Sequence, residues 1–269
     1  MKHSLLLLFL FILFFVEPLS AQSINYQPGD TLRVFTSGGL RLRSTQQLSS
    51  TVLATMPLGA EVEIVEVFGQ EENQQTIEGF DGHWVKVKYK DLVGFAFDGF
   101  LSALPFPKME QLKDSLHTFE EVTNLDAPYY GQNIERIFEA YIHLEFHPVC
   151  EPVEYFNGNY GGGTDYVTLN RLNNGFTHGQ HGYYEGWGTE LIMPGTRLSE
   201  LKNLVLLLSQ GSGLDRSTIS DIQTGLKRVT GQESQITEIL RLDMLFIYIK
   251  IHYSGDNPYW SLIISCASA

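Results

Sequence analysis

The sequence predicts a multidomain chain: a small N-terminal all-β barrel, followed by helices and an α+β domain with a mostly antiparallel sheet. Three observations lead there. Short runs of alternating apolar and polar residues, cut by turns, fill Leu40 to Leu101. Beyond Pro107 apolar residues recur at three- and four-residue spacing. From Val153 the texture returns to strands, with one helical run among them. A period of two marks half-buried strands and a period near 3.6 marks amphipathic helices, and their order sets the layers.

In the first block Leu40 and Leu42 alternate with Arg41 and Arg43. Val52, Leu53 and Met56 follow, then the turn signal Pro57-Leu58-Gly59. Val62, Ile64 and Val67 are interleaved with Glu61, Glu63 and Glu66 in a near-alternating run. An acidic, Gln-rich insertion from Gly69 to Asp81 precedes Trp84, Val85, Val87 and Tyr89. Gly94-Phe95-Ala96-Phe97 forms the next strand and Phe100-Leu101 closes the block. Several short strands without a helix describe a small barrel or sandwich.

These pieces resemble the bacterial SH3-like (SH3b) domain family over about residues 26–104. The family's opening L-N-V-R-S strand corresponds to Leu40-Arg41-Leu42-Arg43-Ser44, and its Gly followed by alternating V/E residues to Gly59-Ala60-Glu61-Val62-Glu63-Ile64. Its G-x-W-x-K-V segment reads Gly82-His83-Trp84-Val85-Lys86-Val87, and its closing strand reads Gly94 to Leu101. The resemblance implies an SH3-like barrel that binds or targets on an exported protein, often toward cell-wall peptide. Two departures, Thr45–Ser50 in place of a Gly-Pro turn and the long Gly69–Asp81 insertion, alter the loops that would line a groove. The ligand therefore does not carry over. Trp84, Phe97 and Tyr89 are the candidate ligand-binding residues. Trp84, Phe95, Phe97 and Phe100 equally suit a core, because small domains need large side chains to bury enough surface.

Upstream of the barrel, residues 1–21 have the layout of a secretory signal peptide. Lys2 supplies the positive charge, Leu5 to Val16 is an unbroken apolar run, and Ser20-Ala21 ends it. The run is too short to cross the ~30 Å hydrocarbon core as a helix. No Cys lies near the cut, so no lipid anchor is expected. The expected mature chain starts at residue 22 and is periplasmic or extracellular, with no membrane span. Its formal net charge of −13 and lack of any Lys/Arg cluster argue against nucleic acid and anionic membranes as partners. Cys150 and Cys266 are the two cysteines, and in an oxidising compartment they are a candidate disulfide.

Pro105-Phe106-Pro107 punctuates the chain after the barrel. Met109, Leu112, Leu116, Phe119 and Val122 then predict a helix to about Asn124. Ile134, Ile137, Phe138 and Tyr141 predict a second, from Asn133 to about His147. Residues 105–148 read as a helical linker, and 149–269 as the α+β domain. His143-x-Glu145-x-His147 has the spacing of a chelating face, with His178 and His181 as further ligands. It lacks the Glu directly after the first His that zinc peptidases use, so no metal and no cofactor is assigned.

In the α+β domain Tyr166–Leu169 and Phe176 flank Asn174-Gly175, a hairpin signal. The Gly158–Gly163 stretch reads as a flexible connection. A strand at Thr189–Met193, a helix at Leu198–Ser209 and strands at Gln235–Leu242, Met244–Tyr253 and Tyr259–Cys266 complete the domain. Neither cysteine opens a helix as a thiol nucleophile does, and G-x-S-x-G is absent. The expected function is thus a non-catalytic envelope module that binds cell-wall peptide or a protein partner. A cell-wall hydrolase and a purely structural envelope protein are the alternatives.

Overall fold

The computed structural model describes residues 26–68, 74–112, 130–160, 163–183, 186–229, 236–242, 245–254 and 257–267. The expected signal peptide and most of the helix expected after Pro107 lie outside these residues. Only 109–112 of that helix is described, and it is helical. Among the described residues no helix is long and apolar enough to cross a membrane.

Eight strands form the N-terminal sheet: β1 (Thr31–Val34), β2 (Leu40–Arg43), β3 (Val52–Met56), β4 (Glu61–Val67), β5 (Gln74–Ile77), β6 (Phe80–Tyr89), β7 (Leu92–Phe97) and β8 (Leu101–Ser102). Their order is β3-β2-β7-β6-β4-β1-β8, with β5 added beside β6, and every pairing is antiparallel. The alternation seen in the sequence is the alternation of burial. Val62 and Ile64 are buried while Glu61 and Glu63 are exposed. The pattern breaks after Ile64 because the ladder to β6 shifts register there, leaving Val65 and Glu66 both outward. Gly82, the first residue of the G-x-W segment, is a steric requirement: a Cβ there would lie 2.4 Å from Asp98 Oδ1 and 2.6 Å from the Gly99 amide.

The Gly69–Asp81 insertion is not a simple loop. Residues 74–77 are β5, which pairs with the start of β6 through Ile77↔Phe80. The two turn residues, Glu78 and Gly79, have φ of 56° and 85°, the positive values a tight hairpin turn demands.

The C-terminal sheet has seven antiparallel strands in the order β13-β14-β15-β12-β11-β10-β9. They are β9 (Val153–Tyr160), β10 (Gly163–Arg171), β11 (Thr177–Tyr183), β12 (Gly186–Met193), β13 (Ile236–Leu242), β14 (Leu245–Ser254) and β15 (Asn257–Ala267). The Gly-rich stretch expected to be a flexible connection is largely strand, ending β9 and starting β10. The Asn174-Gly175 hairpin is present, with Gly175 at φ 84°. Leu191, Met193, Trp260, Leu262 and Ile264 are buried on one face of the sheet, in a common core with Ile247, Ile249 and Ile251.

Three described helices contribute to that core: α1 (Tyr130–Glu145), α2 (Leu198–Gly211) and α3 (Arg216–Arg228). In α1, Ile134, Ile137, Phe138 and Tyr141 are buried against it. α1, the described helix of the segment expected to act as a linker, therefore packs as part of the C-terminal unit, because its apolar stripe is long enough to need a sheet to cover it. α3 was not expected. Asp215 caps it by accepting from the Thr218 amide at 2.9 Å, and bonds from the Ser217 hydroxyl first, then the Thr218 amide and hydroxyl, hold its carboxyl well below the usual range. α3 crosses β13 so closely that a Cβ on Gly225 would lie 2.1 Å from the Ile239 carbonyl oxygen.

The two units are docked. Phe35, at the end of β1, belongs to the C-terminal core, and Phe106 stacks edge-on against it at 5.5 Å. Pro105 is tied down by the Tyr141 hydroxyl, which donates to its carbonyl at 2.9 Å.

Candidate binding surfaces

The barrel aromatics separate into core and surface. Trp84 and Phe97 are each only 2 % exposed. Their rings meet edge to face at 6.0 Å, and Phe97 meets Phe100 at 5.7 Å. Neither is available to stack on a ligand, which corrects the expectation from the sequence. The insertion hairpin contributes to this, since Gln75 on β5 accepts the Trp84 indole N–H at 3.1 Å. Tyr89 lies half-buried at the end of β6, with the Lys90 ammonium 5.2 Å from its ring centre.

Other barrel residues do face solvent. Phe95 is half-buried and packs against Phe68 at 5.9 Å. Val52, Leu53 and Val93 are 43 %, 40 % and 48 % exposed. Val52 and Leu53 lie on β3, an end of the sheet order, and Val93 lies on β7 with its side chain on the same face as Phe95. Sequence reading missed this group because exposed valines and leucines look like core residues in a strand.

Buried charge concentrates where the barrel meets the C-terminal unit. Asp98 opens a 3-10 turn, Asp98–Phe100, that follows β7. Arg197 precedes α2 and is 5 % exposed, while Asp98 is 0 % exposed. Arg197 Nη1 donates to Asp98 Oδ2 at 2.8 Å and Nη2 donates to the Leu101 carbonyl at 2.7 Å. Asp98 also accepts from the Tyr26 hydroxyl and from the His83 amide, the latter at 2.5 Å. On the helix side, Glu200 Oε2 accepts the Arg197 amide at 3.0 Å. Its Oε1 accepts from the Ser102 hydroxyl at 3.0 Å and the Ala103 amide at 2.7 Å.

Electrostatics hold the Asp98–Arg197 pair ionised. Burial alone would raise the Asp98 pKa, but Arg197, His83 and Tyr26 together bring it below the usual carboxylate value. Burial likewise opposes the Arg197 charge, and the Glu200 and Asp98 carboxylates more than offset it. Burial and the Asp98 charge push the Tyr26 hydroxyl far above its usual value, so it remains a donor. Further along α2, Asn203 donates to the Gly99 carbonyl at 2.8 Å and Lys202 to the Gly79 carbonyl at 3.0 Å. Burial lowers the Lys202 pKa. The Gly99 and Gly79 carbonyls are thus each matched by an α2 donor, and the Ala103 amide by the Glu200 carboxylate.

Beside this cluster lies a cleft of about 350 Å³. Phe146, Phe176, Pro105 and Pro194 give it apolar walls, and Tyr26, Arg197 and Glu200 form part of its lining. Glu145, at the end of α1, and Asn173 and Asn174, in the β10–β11 turn, line it as well. Clefts of this kind at the junction of two units are common places for ligands.

The histidines of α1 are arranged differently from a chelating face. The rings of His143 and His178 meet edge to face at 5.7 Å, while His147 is exposed past the helix end. The His181 side chain lies outside the described residues. Among the described residues no group of three His, Cys, Asp or Glu could hold a metal ion. The two cysteines are not joined. Cys150 is exposed with a free thiol. It sits beside the Pro148↔Leu172 bridge, whereas Cys266 pairs with Trp187 and Leu245 at the opposite end of the sheet. The Arg171↔Thr177↔Ile192↔Ser261 ladder leaves Cys266 five residues further along β15, roughly 16 Å at strand rise, beyond the reach of a disulfide.

No curated protein and no solved structure matches the chain. The barrel does have known relatives. Strands β2 to β8, the G-x-W steric requirement and the buried Trp84–Phe97–Phe100 cluster fall within residues 38–102, and that stretch matches the bacterial SH3 domain family.

Proposed function

We propose that this is an exported, non-catalytic protein of the bacterial cell envelope, in which the SH3 barrel serves as a binding or targeting module for cell-wall peptide. The match of residues 38–102 to the bacterial SH3 domain carries the reading. Phe95 and Val93, with Val52 on the same face through Arg43 between them, supply a surface for it together with Phe68, in place of the buried Trp84 and Phe97. An extended peptide laid along β3 would gain main-chain hydrogen bonds from an end strand and apolar contact from these side chains. The acidic balance of the chain, −13, suits a ligand with free amino groups better than a polyanion. Export follows from the signal-like layout of residues 1–21. The C-terminal unit then serves as the body that the barrel positions.

The test is co-sedimentation of residues 22–269 with purified wall sacculi, alongside V93S/F95S, with soluble products assayed. A substituted barrel is the better comparison than a chain without one, because removing the barrel strips Asp98 and Leu101 from Arg197. The expected result is that the unsubstituted protein pellets, V93S/F95S stays in solution and no fragments are released. If neither protein pellets, wall targeting is wrong. Released fragments would instead establish the hydrolase alternative.

A further inference from the structure

We infer that the cleft between the two units is a second binding site, separate from the barrel surface, and that it takes the free amino end of a short peptide. Arg197 and Glu200 are committed to the barrel, since both Glu200 oxygens accept protein donors and Arg197 donates to Asp98, Leu101 and Glu200. They form one wall but have little left to offer a ligand.

Glu145 differs. It is half-buried, and no hydrogen bond or ion pair among the described residues engages its carboxylate. Among the charged lining residues Arg197 is already paired with Asp98 and Glu200, so the Glu145 carboxylate is the charge left for a guest, and it favours a positive one. The two asparagines supply the complementary chemistry. Asn173 Oδ1 accepts the His147 amide at 3.3 Å and Asn174 Oδ1 accepts the Phe176 amide at 3.2 Å. Those bonds fix each carboxamide with its oxygen turned to the backbone, which leaves the amino groups as donors. A carboxylate and two amide donors match an ammonium followed by carbonyls, the pattern of a peptide amino terminus. Phe146 and Phe176, 5.5 Å apart, give the adjoining side chain an apolar contact. A cleft of about 350 Å³ sits at the small end of the usual ~300–1,000 Å³ range, which suits a di- or tripeptide.

This site does not depend on wall binding by the barrel, and the experiment keeps the two apart. Binding of tri-L-alanine and of N-acetyl-tri-L-alanine to the purified protein is measured by NMR or calorimetry. The same titrations are run on Glu145→Gln, Asn174→Asp and V93S/F95S. Tri-L-alanine should bind, and N-acetylation and Glu145→Gln should each weaken it roughly tenfold or more, the size of one lost charge-assisted contact. Asn174→Asp keeps an oxygen to hold the Phe176 amide and exchanges the amino donor that would meet a peptide carbonyl for a charged oxygen that repels it. It should therefore weaken binding while the circular-dichroism spectrum and melting temperature stay close to those of the parent. V93S/F95S should bind tri-L-alanine unchanged. Equal binding of the acetylated peptide, an unchanged Glu145→Gln, loss of binding in V93S/F95S, or no binding at millimolar peptide would each overturn the assignment.

Discussion

Arg197→Met tests whether the buried ionic cluster holds the two units together. Methionine keeps most of the side chain's length and apolar stem and removes the charge, so packing is largely preserved. The substitution abolishes the bonds to Asp98 at 2.8 Å and to Leu101 at 2.7 Å and leaves Asp98 ionised with 0 % exposure. Breaking a buried pair from one side costs about 3–5 kcal/mol, because the remaining charge is stranded. The pH dependence identifies the cause. Asp98 has a folded-state pKa below its unfolded value. The stability it contributes is therefore present above the ordinary carboxylate value near 4 and is lost only as pH falls through the depressed value. Without Arg197, burial is less opposed and the Asp98 pKa rises. As pH falls toward 4 the carboxyl then takes up a proton more readily in the variant than in the parent, and its burial costs less. Urea unfolding followed by circular dichroism should show a deficit of about 3–5 kcal/mol at pH 7 that is at least about 1 kcal/mol smaller at pH 4. A deficit below about 1 kcal/mol at pH 7, or one that widens in acid, would refute the reasoning. The double variant Asp98→Asn/Arg197→Met should lose less than the two single losses added together.

Three further outcomes are expected. Trp84→Ala should destabilise by about 3–5 kcal/mol through the cavity it leaves, read as a lowered urea midpoint; a ligand-stacking Trp would leave stability unchanged. Gly225→Ala should cost about 1–3 kcal/mol despite alanine's better helix propensity, because the added Cβ meets the Ile239 carbonyl, and thermal melting reads it. Cys150 should react with a thiol reagent in the native protein without prior reduction, as an exposed free thiol does; if labelling needs reductant, the thiol is paired.

The barrel was legible in the sequence because its burial follows a period of two and its turns carry Gly and Pro. Even the bulge after Ile64 shows, in retrospect, as the place where alternation fails between Ile64 and Val67. The hairpin in the insertion was not, since Gln74–Ile77 is exposed or half-exposed and polar, so its strand character comes from pairing with β6 rather than from pattern. Helix α3 carried readable signals, an Asp215 cap and the apolar spacing of Ile222 and Leu226, but its sparse apolar residues were outweighed by polar ones. The docking cluster was beyond sequence reading. Arg197 and Glu200 look like an ordinary charged pair at a helix start, and nothing local ties them to Asp98, Ser102 and Ala103 about a hundred positions earlier. The burial of Trp84 and Phe97 was illegible for a related reason: an aromatic in a small barrel looks the same in sequence whether it is a platform or a core.

Phe35 is one ring of the barrel chain that sits in the C-terminal core. Its placement changes what kind of mechanical part the barrel is. A module on a loose tether samples many directions and passes little force to its neighbour. Here a load on the barrel would reach the seven-stranded sheet through packed rings, without first stretching a spacer. Whatever the barrel grips, the sheet would keep a constant bearing to that anchor, so the protein would work as a bracket that sets direction as well as distance.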